Sequence, residues 1–484
     1  MRTSLLLLAL ATQAPSGLGD PHSPILDVTA LKPAPAIVPA GEETHRDLTG
    51  AAIRKDLEAI VGFSKADRAR GERAWGRITG FRAADETHAW VLQQFKAAGL
   101  RDAETQTYTA TQPTWHPKSW SVKISIGPDA PIVVLESAFP TSGSQLAQGS
   151  LDAPLVFVGA TTDAALPDID VTGKVAVQTL HPAGGAFSER TRTTERAREL
   201  AKRGAVAVLN VIEQAGNMHV RDFSNCGVPC FNLGTEDGRF LTSMLARAKP
   251  LGGLVRAAIR LDTELLPDLK GHNTIGVVRG KNDGEMVIIN AHADGWFDAA
   301  GDNGDGLAVL IALARHFSKP EHQPERTLLF VASGGHHGGG MNGPGNLVTM
   351  NPQLKGKAVL VLNLEHIAQL RFQNDPFRVE ASEQPMGFGI SNEAPAIAEV
   401  AKRGMQRYGF ALRPNFSNSI AGDLGGYAPL GVPRVQAIHS GPMYHTSGDT
   451  LDTISTPGLE RAARFYAFFV SEIARIDRNA LQMK

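Results

Sequence analysis

Apolar residues in the second half of the chain fall into short β-branched runs: "HNTIGVVRG", "EMVIIN", "TLLFVA", "AVLVLNL" and "PRVQAI". Each run is too short for a helix and too continuous for a strand wetted on one face. Each therefore predicts a strand buried on both faces. Helix-period segments separate them, over 306–317, over 394–408 and after "STPGLE", where Leu459, Ala463, Tyr466, Val470 and Ile473 form one stripe. Thr456 is expected to cap that last helix, with Pro457 in its first turn. Strands alternating with helices predict an α/β fold: a mixed, mainly parallel sheet with helices on both faces.

The first half reads differently. "DLTGAAIRKDLEAIVGF" and "ADETHAWVLQQFKAAGL" predict two helices, and "SWSVKISI" a strand. Near 140 the texture shifts to "APLVFVG", "GKVAVQTL" and "GAVAVLNV", with helices expected over "TTERARELAKRG" and "TEDGRFLTSMLARAK". This predicts a β-rich insert over 140–265 that divides a larger domain into 46–139 and 266–484. Residues 21–45, with "LKPAPAIVPAGEE", read as an extended linker. Residues 1–20 have a basic Arg2, an apolar Leu5–Ala11 core and small residues after it, the pattern of a signal peptide. The expectation is an exported protein with no membrane segment once that peptide is removed, since no later stretch nears the ~20 apolar residues a spanning helix needs.

A chain of 484 residues exceeds one ordinary core, in keeping with two domains. Its 48 basic and 49 acidic residues leave a net charge of −1, which argues against nucleic acid as a partner. The two cysteines, Cys226 and Cys230 in "NCGVPC", could close a small disulfide loop in an oxidising compartment or stay reduced. With no second pair nearby they do not suggest a structural zinc site.

In parallel sheets, functional groups gather beyond the C-terminal ends of the strands. His292 and Asp294 follow "EMVIIN", and Asp302 precedes the next helix. His336 and His337 follow "TLLFVA" in the turn "SGGHHGGG", Glu365 follows "AVLVLNL", and His445 follows "PRVQAI" after a loop. Singly, each has a plain reading: a strand-end histidine, a helix N-cap at Asp302, a solvated Glu365, a turn-bracing His445. Jointly, metal-type ligands at four strand ends and no nucleophilic Ser or Cys predict a metal centre. Asp294 lies on the same side of the strand as His292 and could fix its imidazole. Asp302 could bridge two ions ~3.5–4 Å apart that polarise a carbonyl and activate water.

These segments resemble the co-catalytic zinc exopeptidase family of bacterial leucyl aminopeptidases and glutamate carboxypeptidase II. "NAHADGWFDAAGDNGDG", "LNLEHIA" and "YHTSGDT" carry the likeness, and the insert resembles a protease-associated domain. The resemblance implies an exported zinc-dependent exopeptidase, of amino- or carboxypeptidase type, acting on a peptide or peptide-like substrate. It implies one or two zinc ions, one held by His292, Asp302 and Glu365 and the other by Asp302, His337 and His445. Asp294 would orient His292, Tyr444 would steady an oxyanion, His336 would be the general base, and Asp423 would support. The family places two glutamates at 336–337, and here both are histidine. The ligands, two zincs and a hydroxide then sum to one positive charge instead of zero. Neutral imidazole can serve at 337, and its ordinary pKa near ~6.5 suits a base at 336. The alternative is a degenerate relative that binds a peptide, an anion or a protein.

Overall fold

A computed structural model describes residue 39 and residues 42–482, apart from 128–130, 164, 183–189, 222–224, 249–253, 373–380, 384–385, 392–393, 411, 417–421 and 439–440. The expected signal peptide and most of the expected linker lie outside the described residues.

The apolar runs build one eight-stranded sheet. Its order is Leu412–Phe416, Met386–Ile390, Arg434–Ile438, Ala358–Leu364, Asn282–His292, Arg326–Ser333, Lys270–Val278 and Arg101–Thr109. The four middle strands, from 434–438 to 326–333, run parallel. Antiparallel pairings join them to the flanking strands. Alternate side chains leave opposite faces of a strand. Val287, Ile289, Leu328, Phe330, Leu360 and Leu362 pack in one core with helices Gly50–Ala69, Asp305–Phe317 and Thr456–Ile473. Ile288, Leu329, Val331 and Val361 pack on the other side with Leu347, Leu424, Tyr427 and Leu430. Every residue of Arg326–Ser333 and Ala358–Leu364 is buried, which is why those runs are continuous rather than alternating. The expected α/β class, with both faces covered, is what the chain adopts.

The last helix begins one residue earlier than its predicted cap. Ser455 is the N-cap, its Oγ accepting from the Gly458 N–H at 2.9 Å, and Thr456 is the first helical residue. Ser455 is pinned outside the helix because its own N–H donates to the Ala368 carbonyl at 2.9 Å.

A second eight-stranded sheet, with helices Arg190–Lys202 and Thr235–Ala248, is built between the two parts of the first. It begins before residue 140. Thr114–Ser125 pairs antiparallel with Arg256–Leu266, Trp120 opposite Leu261, and Val133–Val134 pairs with it in turn. The texture change at 140 marks where parallel strands begin, not where the sheet begins. Phe297, Trp75 and Phe139 share this sheet's core, so the loop after His292 is packed against it.

From the strand ending at His292 the chain passes to a neighbour on one side, 326–333, and then to 358–364 on the other. That reversal opens a crevice at the C-terminal strand ends.

Candidate metal centre

The crevice is lined by the residues that follow those strands. Asp302 stands at its middle, buried, in an extended backbone conformation ahead of helix Asp305–Phe317, whose N-cap is Gly304. Asp302 is therefore not a helix cap. One of its oxygens, Oδ1, lies 3.3 Å from His292 Nε2 and 3.6 Å from His366 Nε2. The other, Oδ2, lies 3.0 Å from His337 Nε2 and 3.2 Å from His445 Nε2. Glu365 Oε1 is 4.0 Å from His292 Nε2 and 3.5 Å from His366 Nε2. All five ligands expected from the sequence are thus gathered around one carboxylate, together with His366, which had not been singled out.

The spacing bears on what the group can hold. Donors about 2.0–2.1 Å from a tetrahedral ion stand about 3.3 Å from one another. Buried polar atoms are ordinarily hydrogen-bonded. Here His292 Nε2, His337 Nε2, both ring nitrogens of His366 and Asp302 Oδ1 are buried without a hydrogen bond. Imidazole nitrogens and carboxylate oxygens that converge at 3.0–3.6 Å without well-directed hydrogen bonds are a donor set that fits zinc.

Electrostatics set the imidazoles apart: burial disfavours charge on His292 and His366, yet Asp294 and Asp302 raise the first, and Asp302 and Glu365 the second, above their ordinary values. Burial pushes His337 down to about 4 despite the attraction of Asp302, so its imidazole is neutral and its lone pair available. Burial opposes ionisation of Asp302, but His337, His366 and His292 outweigh it and hold the carboxyl well below the usual range.

His336 differs from its neighbour. Its Nδ1 is 2.9 Å from Asp423 Oδ1, its ring stacks on His292 with centroids 4.0 Å apart, and its Nε2 lies 3.8 Å from Glu365 Oε1. Burial disfavours its charged form, and His292 adds to that, yet Asp423 and Glu365 together raise it above its ordinary value. Asp423 in turn accepts at Oδ2 from Asn290 Nδ2 and Ser333 Oγ, both at 2.9 Å. The carboxylate, oriented by two donors, thus holds an imidazole that faces the centre.

Asp294 reaches both His292 and the turn that follows Ser333. The ring N–H of His292 goes to the backbone carbonyl of Asp294 at 3.0 Å, with the Asp294 carboxylate 3.5 Å from the same nitrogen. That carboxylate also accepts from the backbone N–H groups of His336 (3.4 Å) and His337 (3.0 Å). It fixes the glycine-rich turn that presents both imidazoles. Tyr444 lies against the centre, stacked on His445 with centroids 3.5 Å apart and edge-on to His366 at 4.9 Å.

Residues from distant segments hold the loops. Asp449 accepts from the N–H groups of Gly301 (2.8 Å) and Asp302 (2.9 Å), and burial beside Asp302 lifts it to about 6. Arg77, fully buried, donates to the carbonyls of Ala293, Asp298 and Ala299 and to Ser64 Oγ at 2.8–3.0 Å. Arg221, from the second sheet's connections, sits with its guanidinium 4.9 Å from the Trp296 ring. Trp296 itself lies against His337 and His445. The Arg221 Nε and Nη1 are buried without a hydrogen bond, and burial lowers its pKa to about 9. His366 and Asp449 stood inside "LNLEHIA" and "YHTSGDT" and could have been found there. Nothing in the sequence marks Arg77 or Arg221.

Residues 273–470, which include Asp302 and the five residues gathered around it, match the sequence model of Peptidase family M28. The chain carries a Peptidase family M28 domain. A stretch of 97 residues is 31% identical to a "Probable glutamate carboxypeptidase" of Arthroderma benhamiae, covering 19% of this chain and 13% of that relative. Among solved structures, the fold is similar to BSAP, a zinc aminopeptidase from Bacillus subtilis. There the identity is 18%, the coverage 88% of this chain and 95% of that one, and the TM-score 0.61. It is also similar to a Peptidase M28 precursor from Shewanella amazonensis, at 19% identity, 88% and 97% coverage, and a TM-score of 0.62. At such identities the likeness is one of fold. The match over 273–470 is thus to a peptidase family, and the fold is shared with these two structures.

Proposed function

We propose that the chain is an exported zinc-dependent exopeptidase in which a His336–Asp423 pair is the general base. The observation that carries this reading is the Asp302 carboxylate, with two imidazoles at each of its oxygens and the buried Nε2 atoms of His292, His337 and His366 without a hydrogen bond. His292, Asp302 and Glu365 would hold one zinc ion, and Asp302, His337 and His445 a second. Zinc bound there would polarise the scissile carbonyl and make water acidic enough to attack near neutral pH. His336 keeps its Nδ1 proton on Asp423 and offers Nε2 to take a proton and return it to the leaving amine. Asp294 keeps the His336–His337 turn in register, and Tyr444 is placed beside His366 and His445 to donate to a developing oxyanion.

We take the second sheet as the protease-associated type of insert expected from the sequence. It supplies Arg221, a buried cation whose Nε and Nη1 have no hydrogen bond among the described residues, beyond Trp296. That supports a substrate bearing a carboxylate near the scissile bond. The Cys226–Cys230 disulfide suits an oxidising compartment and so supports export.

The test is to count metals per chain after growth in zinc-replete medium and to assay dipeptides and aminoacyl-anilides. Two ions and turnover lost in His336→Ala support the reading. A binding scaffold is the second reading, favoured by imidazoles where the family has glutamates. Absent metal, with turnover gained only on His336→Glu/His337→Glu, would establish it instead.

A further inference from the structure

We infer that His366 is itself a metal ligand and that it makes the two halves of the centre unequal. The inference rests on the zinc reading above and extends it. His366 follows Glu365 directly and is 1% exposed. Its backbone takes φ +53, a left-handed conformation uncommon for residues other than glycine. Tyr444 meets its ring edge-on. Its Nε2 then stands 3.5 Å from Glu365 Oε1 and 3.6 Å from Asp302 Oδ1. Those separations are too long for the short charge-assisted hydrogen bonds of a contact ion pair, and neither ring nitrogen is hydrogen-bonded. They suit donors that share a centre.

The consequence follows from counting donors on each side of Asp302. Oδ1 faces His292, Glu365 and His366, giving four protein donors with Asp302 itself. Oδ2 faces His337 and His445, giving three. Four protein donors fill a tetrahedral zinc site and make it structural, whereas three leave a position for water or substrate. The His366 half is therefore closed and tight-binding. The His337–His445 half is open and weaker, and it is the half beside Trp296 and Arg221.

The experiment uses the full-length chain stripped of metal. Zn²⁺ is titrated against a chelator of known affinity, and Co²⁺ is followed by its visible absorption, with circular dichroism as a check on folding. The unaltered chain should take two ions of unequal affinity, the first giving the intense absorption of a four-coordinate site. His366→Ala should weaken the tight ion by more than the roughly 10–100-fold lost with an outer hydrogen-bond partner, and should dim its Co²⁺ bands. His445→Ala should do the converse, losing the weak ion and keeping the tight one. Should His366→Ala not fold, His366→Met is measured the same way, and His445→Ala by itself still decides which half is tight. Equal affinities in the unaltered chain, or an unchanged tight ion in a folded His366 variant, overturn the assignment. Peptide turnover with ion affinities that ignore His366 removes the ligand assignment and spares the peptidase reading. Two unequal, His366-dependent ions without any turnover do the reverse.

Discussion

The most exacting prediction concerns Asp423→Asn, a change of one atom. Asp423 Oδ2 accepts from Asn290 and Ser333, and Oδ1 faces His336 Nδ1 at 2.9 Å. An asparagine must keep its carbonyl oxygen on the two donors, because its amide would meet N–H and O–H groups there. Its NH₂ then faces His336, whose Nδ1 becomes an acceptor and whose only proton moves to Nε2. The nitrogen turned toward the centre can no longer take a proton, although no atom has moved. General-base catalysis contributes typically ~10²–10⁴ in rate, or about 3–5 kcal/mol of barrier. Asp423→Asn should therefore lower kcat by about 10²–10⁴, close to the loss in His336→Ala, with KM little changed. Metal content and circular dichroism should match the parent. The assay is steady-state kinetics on the best substrate of the panel, with metal analysis on the same preparations. If Asp423→Asn retains kcat within about tenfold of the parent, or loses metal, the pair is not the base.

Arg77→Met strips the donors from three buried carbonyls around the centre. Breaking a buried charged network of this kind costs about 3–5 kcal/mol, read by denaturant unfolding, and a loss under about 1 kcal/mol would contradict the role given to Arg77. Burial and the neighbouring His316 push His45 down from 6.5 to about 4. The unfolded chain thus takes up this proton first. Stability should be full above about pH 6.5 and fall as pH drops toward 4, by up to about 3 kcal/mol, and His45→Gln should flatten that slope. Cys226→Ser opens a loop of sequence separation 4, and should cost about 2 kcal/mol on loop entropy. Thiol titration of the protein should find no free cysteine before reduction. His337→Glu removes the excess positive charge at the open half, so it should strengthen binding of the second ion and weaken inhibition by small dicarboxylates; unchanged inhibition would argue against an anion-seeking site.

Much of this was legible because parallel sheets write themselves plainly. Residues 287–292, 326–333 and 358–364 are buried without interruption and mostly apolar, since both faces are covered. The residues after them must converge where the chain reverses direction across the sheet. What spacing cannot carry is orientation and distant contact. Alternation put Asp294 on the same side as His292, but not which of its oxygens would take the ring N–H; the backbone carbonyl was nearer. The boundary at 140 was misplaced because Thr114–Ser125 alternates like any half-exposed strand, and its partner lies about 140 residues on at Arg256–Leu266. Arg77 contacts loops more than 200 positions away, and no local pattern anticipates that.

The paired imidazoles at 336–337 make sense once charge is followed through the site rather than position by position. Substituting histidine for an acidic base removes one negative charge from residue 336. Asp423, 2.9 Å behind it, restores that charge, so a neutral His336 with an ionised Asp423 has the same net charge as a lone carboxylate and moves it outward by one ring. No such repair exists at 337: the acid nearest to His337 is the shared Asp302, and the Asp294 carboxylate is spent on backbone N–H groups. The excess positive charge is thus confined to the half of the centre that has only three protein donors. Arg221 adds a second buried cation beyond Trp296 on that same side. Charges buried a few ångströms apart interact strongly when water is scarce, so the two-zinc centre proposed above would be stabilised by an anion in the crevice. Among peptides, the group that brings one to the scissile bond is a free carboxylate.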